Sequence, residues 1–129
     1  MAKAKELKVR VENRPGMLGE VASALGEKKV NLRGAHAWAE GAQGFIRLVA
    51  DKPAAAAKVL AARGLAPEER DVLEVVLPDR PGALGAVAAK LGRAGVNVEY
   101  MYVGTARGAR KVSAFFGVPD LAAAQKAAR

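Results

Sequence analysis

The chain has 129 residues, of which 51% are apolar and 26% charged, and it contains no cysteine. That length holds one ordinary domain or two very small ones and excludes a large multidomain enzyme; the missing Cys removes disulfides, thiolate nucleophiles and sulfur-ligated zinc. A net charge of +8 points to a polyanionic partner, yet apart from Lys3 to Lys8 and Arg107 to Lys111 the 21 basic residues are interleaved with 13 acidic ones, so a solvated surface is expected.

The opening MAKAKELK carries charge with no apolar segment behind it, and no run of 18 apolar residues follows anywhere, so neither a signal peptide nor a membrane span is expected and the cytoplasm is the expected location. Leu7, Val9 and Val11 alternate with Lys8, Arg10 and Glu12, the period of a half-buried strand. Pro15-Gly16 breaks it. Leu18, Val21, Ala22 and Leu25 then fall at i, i+3, i+4 and i+7, one apolar face of a short helix that stops near Gly26, and Leu18 reads as its first core residue. Two strands follow, Asn31 to Ala39 and Phe45 to Ala50, joined by a turn over Gly41 to Gly44, with Ile46, Leu48 and Ala50 facing inward. A second, Ala-rich helix over Pro53 to Arg63 has Pro at its start and Gly64 past its end. Leu65 to Val72 leads on with no Gly/Ser linker.

A shift of 66 residues then repeats the pattern. Asn13-Arg-Pro-Gly-Met-Leu-Gly falls on Asp79-Arg-Pro-Gly-Ala-Leu-Gly, Val30-Asn31 falls on Val96-Asn97, and 11 of the 19 positions from 13 to 31 are identical. The strand of Leu73, Val75 and Leu77, the helix face of Leu84, Val87, Ala88 and Leu91, and strands over Asn97 to Val103 and Val112 to Val118 follow in the same order. Strand, helix, strand, strand, helix, strand is the split βαβ order, so the expected fold class is α+β, a duplicated ferredoxin-like βαββαβ module divided into residues 1–72 and 73–129. Arg63 aligns with Arg129, so the second copy lacks the segment for its last strand. The edge along Leu73 to Leu77 would be left open, and the expected cover is Leu65 to Val72 or the same edge of a second molecule, giving a homodimer.

The motif Val11-Glu-Asn-Arg-Pro-Gly-Met-Leu with Val30-Asn31, repeated as Leu77-Pro-Asp-Arg-Pro-Gly-Ala-Leu with Gly95-Val96-Asn97-Val98, resembles the ACT domain, a small ferredoxin-like regulatory module that binds amino acids. The run Val98-Glu-Tyr-Met-Tyr102 is similar to that of bacterial proteins built of two tandem ACT domains. The resemblance implies a free amino acid held where the first loop of one module meets the second-strand head of the other. It carries ligand-binding roles to Asn13, Gly16, Met17, Leu18 and Asn31, and to Asp79, Gly82, Ala83, Leu84 and Asn97. The residue chemistry agrees: glycine lets a backbone approach a ligand, and first-turn amides attract a carboxylate. Asn13, Asp79, Asn31 and Asn97 are equally at home as cap or turn residues, and Leu84, like Leu18, as core.

With one His (His36), two Ser and one Thr, none in a nucleophile or metal-helix pattern, the expectation is a non-enzyme with no cofactor and no metal. His36 reads as structural, and Trp38, Tyr100 and Tyr102 as packing residues. Two alternatives accompany the sensor reading. One is a nucleic-acid-binding module on the same strand and helix order, for which Gly44 to Leu48 and Lys111 to Phe116 match the stacking signature poorly; the other is an accessory subunit without a ligand.

Overall fold

The computed structural model describes residues 2–129, which divide into two compact units: residues 5–70, and residues 71–129 together with residues 2–4. The elements in chain order are β1 (Ala2–Glu12), α1 (Met17–Glu27), β2 (Leu32–Glu40), β3 (Gln43–Ala50), α2 (Pro53–Ala62), β4 (Glu68–Pro78), α3 (Ala83–Arg93), β5 (Tyr100–Tyr102), β6 (Lys111–Gly117) and α4 (Leu121–Ala127). This is the duplicated ferredoxin-like fold.

In the first unit the strands run β2-β3-β1, antiparallel throughout, with Leu7 opposite Leu48 and Val9 opposite Ile46. Because side chains alternate across a strand, that register gathers Leu7, Val9, Ile46 and Leu48 on one face, where Val21 and Leu25 of α1 and Ala56 and Leu60 of α2 close over them. The other face carries Glu6, Lys8, Arg10, Phe45 and Arg47. Glu6, 1% exposed, accepts a 3.1 Å hydrogen bond from the Arg47 guanidinium, the partner a buried carboxylate requires.

The second unit repeats this with strands β4-β6-β5 and a core of Leu73, Val75, Val87, Leu91, Ala114 and Phe116. Its hairpin differs. Leu73 stands opposite Phe116, whereas Leu7 stands opposite Leu48, so β6 matches β3 at a shift of 68 rather than 66 and the loop before it is two residues longer. β5 is three residues long, much shorter than the expected strand from Asn97 to Val103.

α4 is the last of the described elements. Residues 2–4, the opening of β1, group with the second unit, and β1 stands next to β4 in the strand order. In the same way the opening of β4, residues 68–70, groups with the first unit. This corrects one expectation, since residues 68–72 are part of β4 and do not fold over it.

Candidate functional site

Each β1-to-α1 type connection is a tight turn set by glycine. Gly16 and Gly82 have φ of 93° and 86°, the left-handed region that suits only glycine without strain, and each begins its helix without a side-chain cap. The first-turn amides of α1 therefore keep the open donors of an uncapped helix start, and so do those of α3 after Ala83, whose amide donates to the Arg80 carbonyl at 3.3 Å. Asn13 and Asp79, candidates for capping, turn away to the hairpin loops. Asn13 Nδ2 donates to the Gly41 carbonyl at 2.9 Å, and Asp79 Oδ2 accepts from the Thr105 hydroxyl at 2.7 Å.

A cavity of about 270 Å³ lies against the first turn, lined by Val11 to Arg14, Met17 and Leu18, by Ala37, Trp38 and Ala39 of β2, and by Gly44, Phe45 and Ile46 of β3. The second unit has a cavity of about 210 Å³ lined by Leu77 to Arg80, Ala83, Leu84, Val103, Gly104, Thr105 and Val112. Every residue of the second cavity before the long loop's end has its counterpart, 66 positions earlier, in the first. Val112 matches Gly44 at the shift of 68 that the register imposes. Two hollows formed independently at the same positions of two modules are a property of the fold and motif.

Their polar rims differ. Arg14 is engaged by two acids, Glu12 at 3.1 Å and Glu20 at 3.6 Å, whereas the corresponding neighbours of Arg80 are Pro78 and Ala86. The walls differ too, with the Trp38 and Phe45 rings in the first and Val103 in the second.

Six of the ten residues expected at the site line these cavities: Asn13, Met17, Leu18, Asp79, Ala83 and Leu84. Gly16 and Gly82 do not; they shape the turn. Asn31 and Asn97 do not either. Asn31 sits just before β2, nine residues or roughly 30 Å from Glu40 and the hairpin turn beside Asn13, and its backbone amide donates to the Asp51 carboxylate at 2.9 Å. Within one unit the loop and the second-strand head are at opposite ends of the sheet. The core reading of Leu18 and Leu84 is overturned, since they are 52% and 38% exposed.

The sequence reading missed the aromatic wall. Trp38 stacks on His36 at 4.9 Å and on Phe45 at 5.2 Å between centroids, with the Arg47 guanidinium 5.1 Å from the indole. These rings spend their faces on one another, which is not the flat open platform that base stacking uses. The signal was present in the pairing of Trp38 with Phe45 across a short hairpin. Among the described residues no three His, Asp or Glu side chains gather as a metal site, and no helix is long and apolar enough to cross a membrane.

Comparison with known proteins fits this picture. The ACT domain family matches residues 5–63 and again 72–129. A crystallised protein from Bacteroides thetaiotaomicron is 27% identical, with a TM-score of 0.87 over 97% of this chain and 85% of its own. The ligand-free regulatory subunit of aspartate kinase from Thermus thermophilus shares the fold at 14% identity, with a TM-score of 0.70 over 98% of this chain and 95% of its own. The corresponding Thermus flavus subunit does so at 18% identity and a TM-score of 0.61, over 98% and 90%. A search of curated proteins found no match. With a family match that covers both copies of the motif and a cavity repeated at the same positions, the chain belongs to the ACT domain family, as a tandem pair.

Proposed function

We propose that the chain is a non-catalytic sensor that binds a free amino acid in the two loop cavities and thereby regulates amino-acid metabolism. The observation that carries this is the repetition of one cavity at matching positions beside both motif turns. A cavity of 210 to 270 Å³ suits a molecule of amino-acid size. The ligand's carboxylate meets the first-turn amides of α1 or α3, where the helix dipole favours negative charge, with Arg80 free to join in the second site. Its ammonium meets the Asn13 amide oxygen or the Asp79 carboxylate oxygen not bonded to Thr105. Its side chain lies against Met17 and Leu18, or Ala83 and Leu84. The Thermus subunits named above regulate an enzyme of amino-acid metabolism, in keeping with this reading.

The absent catalytic groups agree with a binding role: the Ser113 hydroxyl donates to Glu74 at 2.7 Å and His36 stacks on Trp38, so neither stands free beside the cavities. The reading places the protein in the cytoplasm, where free amino-acid pools are held, and includes self-association. A thermal-shift screen of the twenty amino acids tests it: one or a few chemically related ones raise the melting temperature, and no shift with any of them at millimolar concentration contradicts it.

A further inference from the structure

Lys8 and Arg10 alternate with the buried Leu7 and Val9 along β1, which sets both cations on the sheet face opposite the helices, about 7 Å apart along the strand. Phe45 stands directly across from Arg10 in the register. Together with Gly64, Leu65, Ala66 and Glu68, on the segment that leaves α2, they line a cavity of about 280 Å³.

Two like charges on neighbouring same-face positions repel. Among the described residues no carboxylate is paired with either, whereas Lys5, Arg14 and Arg47 each engage one. The Lys8 ammonium rests instead 5.1 Å from the Phe45 ring centroid and 5.9 Å from that of Trp38. Glu68 is the acid on the cavity wall, one against two cations.

The second module is an internal control. At the positions of Lys8 and Arg10 it has Glu74 and Val76, and Ser113 stands across from Val76 where Phe45 stands across from Arg10. The duplicated fold therefore does not require this cationic arrangement. It was kept or gained in one copy only.

We propose that this cavity of the first module, which shares the Phe45 wall with the loop cavity but is lined by cations of its own, is a second ligand site for a small organic oxyanion: a phosphate or carboxylate held between Lys8 and Arg10, with its apolar body against Phe45. Arg10 offers the planar fork that binds an oxyanion through two parallel hydrogen bonds, and Lys8 the compact charge. A bound oxyanion relieves the repulsion between them and draws Lys8 away from the rings.

Trp38 is the chain's single tryptophan, so its emission reports on Lys8. The experiment is a titration at constant ionic strength with phenyl phosphate, benzoate and inorganic phosphate, followed by Trp38 fluorescence and repeated by calorimetry. The expected result is a saturable response to phenyl phosphate or benzoate, the stronger one identifying the oxyanion, and weaker binding of inorganic phosphate. Arg10→Gln and Lys8→Gln each weaken it about ten-fold or more, as loss of a charged hydrogen bond requires, while Lys126→Gln, an equal loss of charge elsewhere, leaves it unchanged. No saturable response in the native chain by either method overturns the proposal. An equal loss in Lys126→Gln overturns it as general charge attraction, and competition by a free amino acid overturns it by placing the anion in the loop cavity.

Discussion

Gly16 illustrates how a motif residue acts through its backbone. A Cβ built there meets nothing within 4 Å, so the penalty for a side chain comes from the φ of 93° alone. Gly16→Val is expected to lower unfolding stability by about 1–3 kcal/mol, with Gly16→Asn the milder replacement because Asn tolerates left-handed backbone; chemical denaturation of the two variants checks the order. Gly117 is the opposite case. Its φ is unremarkable, but a Cβ there would run into the Tyr100 ring lying across it. Gly117→Ala is expected to destabilise by about 1–3 kcal/mol through overpacking, and Tyr100→Ala added to it to recover part of that loss; a double-mutant cycle in urea reads this. The Pro-Gly turns were legible because glycine has few other reasons to follow proline at the end of an alternating strand. The exposure of Leu18 and Leu84 was not. A helix's first turn extends past the layer it packs on, and periodicity cannot tell where that layer ends.

At the scale of elements the alternating strands and the amphipathic helices could be read from period alone, because each buries one face against the other. Three features escaped. β5 is short because the Gly/Arg-rich segment after Tyr102 offers no apolar alternation to extend it. The two-residue slip of β6 is invisible in an ungapped comparison, since Val112, Ala114 and Phe116 face inward at either shift. The opening of β1 was overlooked because residues 2–4 are too few to show a period, and their place depends on a unit formed far along the chain. That grouping yields a prediction. Deleting residues 1–4 should loosen the second unit and speed amide exchange in β4 relative to β3. Unchanged exchange across β4 would mean that residues 2–4 contribute nothing to that unit.

For the molecule as a whole, the duplication was the most legible feature and located both cavities, while the amino-acid-sized hollows themselves needed the hairpins to be placed. β2 ends the strand order in its unit and offers nine residues of free edge, with the small Ala35, Ala37 and Ala39 exposed. An edge of that length invites pairing, and self-association through β2 gives a mass of twice 13.4 kDa by light scattering, returned to that of one chain by Ala35→Lys. A single-chain mass at high concentration removes self-association from the account. The central claim is that the two cavities are two amino-acid sites, and calorimetric stoichiometry tests it most directly. With the amino acid that the thermal screen selects, the native chain should bind two equivalents. Ala37→Trp, which fills the first cavity from an exposed position, and Val103→Trp, which fills the second, should each leave one, and the double variant none. Two equivalents retained by the double variant, in a chain with native circular dichroism, would contradict it.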